Sequence, residues 1–224
     1  MTDTTNPSGN ARMAPRLFAV LPAEAMQHDP AACLRAFSSH ADIASLLLPA
    51  ETDSSASLQG LVTQAQSLGA AVLVRDSVER MRQLGADGLH VEGDNAQRLA
   101  RLRHELGDEV IIGACCPTRR HAAMELGEEG ADYLGIDQRT QARGENLLAW
   151  WAQMFTVPVV AMHPVAPEEL LQLFRLGADF AVPVATMWQD VEQAAALGRA
   201  YDKCMRQITE DCTEGMNADQ AQRS

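Results

Sequence analysis

Eight short apolar runs that alternate with eight helix-like segments predict an α/β chain folded as one compact (β/α)8 (TIM) barrel. Two further observations point the same way. The triplet Gly-Ala-Asp recurs at 85–87, 130–132 and 177–179, at spacings of 45 and 47 residues, each time between a helix-like run and an apolar one. The apolar runs are also continuous rather than alternating, as in parallel strands covered on both faces. A glycine just past a helix closes the last turn in the left-handed conformation, so the triplet reads as a helix-to-strand joint. Gly69-Ala70-Ala71 is a weaker copy.

The first strand is expected at 16–21 (RLFAVL), and Asp29-Pro30 opens its helix because proline suits the first helical position. The second, 43–49 (IASLLLP), precedes the helical run SSASLQGLVTQAQSL. The third, 71–76 (AVLVRD), leads into SVERMRQL, and the fourth, 88–91 (GLHV), into NAQRLARLRHEL. The fifth, 110–114 (VIIGA), leads into TRRHAAMELGEE, and the sixth, 133–136 (YLGI), into ENLLAWWAQMF. The seventh, 157–162 (VPVVAM), precedes a helix capped by Pro167, PEELLQLFRL. The eighth, 180–184 (FAVPV), precedes WQDVEQAAALGRAYDKCMRQ. A doubly wound open sheet would want a glycine-rich loop after its first strand, and PAEAMQ there holds no glycine.

The chain of 224 residues, 46% hydrophobic, can bury one full core. The barrel is expected over 15–205, with a disordered polar start at 1–14 and a polar tail at 206–224. Aromatics are only 4%, so aliphatic side chains must fill the core. A net charge of −12 argues against nucleic acid or an anionic membrane as partner, since phosphate backbones need clustered Lys and Arg. Five cysteines without C-x-x-C spacing suit reduced thiols, and the start lacks an apolar signal core. A cytoplasmic protein is expected.

With those units laid out, GADGLHVEGD, VIIGACC, GADYLGI and VPVVAMHP, in this order, resemble the thiamine phosphate synthase and thiazole tautomerase superfamily over roughly residues 16–200. The resemblance implies a transferase that joins a pyrimidine pyrophosphate to a thiazole phosphate with Mg²⁺ on the pyrophosphate, and so a role in thiamine biosynthesis. It places the metal carboxylates at Asp76 and Asp94, and His90 stands where the family has histidine. Departures follow the strand ends. Leu46, Leu47, Leu48, Pro49 and Ala50 replace polar residues on strand two, and Arg75 replaces an asparagine. Cys115-Cys116-Pro117 replaces Ser-Thr-His, and 137–143 replaces a Thr- and Lys-bearing loop. His163-Pro164 stands where paired glycines cradle the thiazole phosphate, and Ala185 replaces a serine. Proline has no N–H to give and histidine blocks close approach. Losing two or three charge-assisted bonds at about 1.5 to 3 kcal/mol each would weaken binding about a thousandfold.

Two roles therefore compete: a synthase-type transferase, and a non-catalytic or repurposed barrel that binds another anionic small molecule or a protein. Homo-oligomerisation is left open. Asp76 and Asp94 are candidate Mg²⁺ ligands, against plain capping of the helices that follow them. His90, Cys115 and His163 are the catalytic candidates. His90, Glu92 and His163, with Cys115-Cys116 nearby, could form a metal or acid–base cluster, against a merely buried, hydrogen-bonded His90. Arg75, Arg139, Arg143 and His163 are the candidate binders of a phosphorylated substrate. Anion binding through charged His163 should weaken as pH rises past the ordinary histidine range near 6.5. Of Trp150 and Trp151, one should pack the core and the other face a surface.

Overall fold

Glycine-closed helices feeding buried strands produce the predicted architecture. A computed structural model describes residues 15–50, 55–115, 119–137 and 146–222. Eight parallel strands close in sequence order, β1 pairing with both β2 and β8. They are β1 (Arg16–Val20), β2 (Ile43–Leu47), β3 (Ala71–Arg75), β4 (Gly88–Val91), β5 (Ile111–Cys115), β6 (Tyr133–Ile136), β7 (Val159–Val165) and β8 (Phe180–Pro183). The helices are α1 (Pro30–Ser38), α2 (Ser55–Ser67), α3 (Val78–Leu84), α4 (Ala96–Leu106), α5 (Arg120–Glu128), α6 (Leu147–Met154), α7 (Leu170–Leu176) and α8 (Val191–Gln222). No helix among the described residues is long and apolar enough to cross a membrane.

Strand alternation sorts the buried side chains into two clusters. Phe18, Leu47, Leu73, Tyr133, Val160 and Val182 meet inside the barrel. The larger cluster lies between the strands and the helices, and Trp151 belongs to it, its Nε1 donating to the Val157 carbonyl at 2.8 Å. Trp150 is half-buried beneath the Arg120 guanidinium, 4.9 Å from the ring centre, so the tandem tryptophans divide as their spacing required.

The Gly-Ala-Asp triplets do more than turn the chain. Gly85, Gly130 and Gly177 have φ of 62°, 89° and 102°, the region glycine enters without strain. Each aspartate then locks the register of the preceding strand. Val72, Ile112 and Val159 donate their N–H groups to Asp87, Asp132 and Asp179 at 2.7, 2.7 and 2.8 Å. The same aspartates return their own N–H to the carbonyls of those residues. Arg103 adds an ion pair to Asp132 at 2.6 Å and bonds the Gly130 carbonyl. Asp132→Ala should therefore cost about 2 kcal/mol, the range for charge-assisted bonds. Chemical denaturation together with faster exchange of the Ile112 amide checks this; an unchanged midpoint would mean the joint is carried by glycine alone.

Several boundaries differ from the sequence reading. β7 runs three residues further, through His163, Pro164 and Val165, because a bulge absorbs the extra length. Ala161 pairs with Ala181 and Pro164 with Val182, leaving Met162 and His163 opposite no residue of β8. Pro167–Glu169 forms a 3-10 turn before α7 rather than its first helical turn. The polar segment after 206 continues α8 as far as Gln222.

Candidate functional site

In a parallel barrel the C-terminal strand ends face one mouth, and there the chemistry-bearing residues collect. The inward parity of β3, β4, β5 and β6 carries Arg75, His90, Glu92, Cys115 and Asp137 to that mouth in turn. Asp76 and Asp94 stand just beyond β3 and β4, and His163 rises from the β7 bulge. Arg139, Arg143 and Cys116 lie outside the described residues.

His90 is fully buried, and its Nδ1 lies 2.8 Å from the Tyr133 hydroxyl. Its other nitrogen, Nε2, is buried without a hydrogen-bond partner, 3.9 Å from Glu92 Oε1. Burial, reinforced by the Arg75 charge, lowers the His90 pKa to about 3, so the ring is neutral. Glu92 accepts from the Arg75 guanidinium. Burial, then the nearby Glu92 carboxylate, pushes the Cys115 thiol up to about 11, with Asp137 adding to the effect. One ligand atom each from His90, Glu92 and Cys115 lies within 4.8 Å of the others. His163, placed with His90 and Glu92 by the sequence reading, instead faces Asp137, with Nδ1 and Oδ1 at 3.8 Å.

Tyr133 is the member that sequence reasoning missed. Its ring lies across the barrel because Gly113, opposite it in the ladder, has no Cβ; one built there would sit 1.9 Å from Tyr133 Cζ.

Asp76 and Asp94 do not cap helices. Ser77 caps α3 and Asn95 caps α4, each through its own side chain and each one residue later than expected. Both aspartates are instead held by arginines. Asp76 Oδ1 pairs with Arg98 at 2.6 Å and accepts the Glu92 N–H, and Asp94 Oδ2 pairs with Arg119 at 3.0 Å. Among the described residues Asp76 is the one non-glycine with positive φ, 54°, a costly conformation that collects at functional sites.

Across the mouth, buried Tyr201 of α8 ties the last two strands. Its hydroxyl donates to the Val165 carbonyl and accepts the Val184 N–H at 3.0 Å. Pro164 has no N–H to offer at the β7–β8 end. At the end of β2, Leu46, Leu47 and, one residue beyond the strand, Leu48 are fully buried and present no polar group. Ala185 opens a 3-10 turn after β8 without a side chain able to donate.

Comparison with known proteins gives the barrel its relatives. A family model described as thiamine monophosphate synthase matches residues 18–187. The thiamine-phosphate synthase of Erythrobacter litoralis is 37% identical over 135 residues, covering 56% of this chain and 63% of that protein. That of Hyphomonas neptunium is 34% identical over 150 residues, 63% of this chain and 67% of the relative. The chain thus spans about two thirds of the length of these relatives. Among solved structures, the thiamine phosphate pyrophosphorylase from Pyrococcus furiosus superposes with a TM-score of 0.71 at 17% identity, over 89% of this chain and 99% of that one. At that identity the likeness establishes the fold.

Proposed function

Because this chain belongs to the thiamine monophosphate synthase family, we propose that it binds a pyrophosphate-bearing substrate at the β3–β4 end of the barrel, and couples it to a thiazole phosphate only slowly. The observation that carries this reading is the course of β7. It continues as strand through His163, Pro164 and Val165, with Pro164 paired to Val182, where an anion cradle needs converging free amides. Val184, beyond β8, has given its N–H to Tyr201.

The β3–β4 end suits the family's metal better. Asp76 and Asp94 are each more than a third exposed, and each keeps one carboxylate oxygen outside its arginine pair. Two hard oxygen ligands plus waters fit Mg²⁺, and these two residues would hold it. When bound, that ion would neutralise a departing pyrophosphate. The chain's own groups do the rest. Arg98 and Arg119 fix the carboxylates and lend positive charge beside the phosphates. The strained turn at Asp76 aims its carboxylate, and buried Tyr133 and Leu47 keep water out of the barrel below.

A second reading rests on the apolar β2 end and the altered β7 end: a repurposed barrel that takes a different small anion. In either case the partner is a small phosphorylated molecule rather than nucleic acid, given the net charge of −12, and the reduced thiols suit work in the cytoplasm. Incubation with both family substrates and Mg²⁺ separates the readings. Formation of thiamine phosphate should be very weak, with pyrophosphate binding lost in Asp76→Ala. Robust turnover that Asp76→Ala abolishes would restore a fully competent synthase and end the argument from β7.

A further inference from the structure

The cluster beneath the mouth has no part in the proposed phosphate chemistry, yet it is built like a ligand site. We propose that His90 Nε2, Glu92 and Cys115 Sγ bind a borderline-soft divalent metal ion of the zinc class, with the fourth position open to the barrel mouth.

Four observations converge. His90 Nε2 is a fully buried nitrogen with no hydrogen-bond partner, an arrangement costly enough to require a reason. Its other nitrogen is occupied by the Tyr133 hydroxyl at 2.8 Å, which fixes the ring plane, as outer partners do for metal-binding histidines. With the proton on Nδ1, donated to the phenol oxygen, a lone pair stands on Nε2. The three ligand atoms lie within 4.8 Å of one another. Around a tetrahedral zinc such atoms stand roughly 3 to 4 Å apart, so closure needs only side-chain rotation. Glu92, half exposed and with its Oε2 unbonded, can supply most of it.

The electrostatics agree. Burial first, then the Glu92 carboxylate, holds the Cys115 thiol protonated, with Asp137 adding and Arg75 opposing, and the two carboxylates put negative charge beside the position a cation would take. On binding, the thiol proton leaves to solvent and the thiolate becomes the ligand. Arg75 opposes the ion, but it is already neutralised by Glu92. Imidazole and thiolate select zinc-like ions over magnesium, which separates this site from the all-oxygen pair Asp76 and Asp94.

Chelator-stripped full-length protein titrated with Zn²⁺ against a chromogenic competitor, and with Co²⁺ by absorption, provides the test. One equivalent should bind tightly, and Co²⁺ should show thiolate-to-metal charge transfer. Cys115→Ser should abolish that band, and Glu92→Gln, on a half-exposed side chain, should weaken binding. Tyr133→Phe should weaken affinity about tenfold or more through the lost ring anchor. Asp76→Asn should leave the Co²⁺ spectrum unchanged. Failure to bind Zn²⁺, or binding and a charge-transfer band that survive Cys115→Ser, would overturn the proposal, since the thiolate would then come from elsewhere or from nowhere.

Discussion

Gly113→Ala is expected to destabilise the protein by about 3 kcal/mol, the upper range for forcing an atom into a filled core. The added Cβ would lie 1.9 Å from Cζ and 2.0 Å from Cε1 of Tyr133, and the ring cannot swing aside. It packs edge-on against Phe18 at 5.4 Å and stacks on His90 at 5.8 Å, inside a closed barrel. The cost should be specific to that ring. Tyr133→Ala alone should cost about 3 to 5 kcal/mol as a cavity, yet in that background Gly113→Ala should cost little or even fill space. A denaturant double-mutant cycle reads the coupling. Strict additivity would show that Gly113 is required for its backbone and not for the aromatic ring opposite.

The second large effect concerns acid. Burial, aided by Arg75, lowers the His90 pKa to about 3 from the ordinary histidine value of 6.5. Below pH 6.5 the unfolded chain takes up a proton that the folded protein refuses, so the stability tied to a neutral His90 is complete above 6.5 and drains away as pH falls toward 3. At pH 5 the gap of about 1.5 units corresponds to about 2 kcal/mol. Denaturation of chelator-treated protein at pH 7 and pH 5 should show that loss beyond what the exposed histidines contribute, and His90→Gln should remove it. An equal pH slope in the variant would mean that water reaches the ring and lets it charge.

The barrel was legible because parallel strands buried on both faces leave continuous apolar runs, and because left-handed glycines mark where helices stop. The edges were not. Pro164 reads as a strand terminator, and only the two-residue bulge, a property of the β7–β8 ladder, lets the strand pass through it. Asp76-Ser77 and Asp94-Asn95 each set two good capping residues side by side, and sequence offers no means of choosing between them. His90, Glu92 and Cys115 could be grouped from their strand ends, but where both faces are apolar the inward parity is hidden, so Arg75 was not placed with them and His163 was, wrongly. Contact between His90 and Tyr133 joins residues 43 apart across an intervening strand, through the space a glycine leaves. It needs the closed barrel before it exists.

The aspartate staples have a consequence for how such a barrel is assembled. They join β3 to β4, β5 to β6 and β7 to β8, but no triplet begins an odd strand, so the repeat of 45 and 47 residues counts two strand–helix units rather than one. Three quarters of the barrel are stitched in pairs. Each stapled pair can fix its own register by bonds internal to a short stretch of chain before the ring closes, whereas the seams between pairs, and β1–β2, have only the strand ladder and side-chain packing. An insertion or circular permutation placed at a seam should therefore be tolerated where the same cut inside a stapled pair is not, and a chain that grew by copying would have copied in pairs.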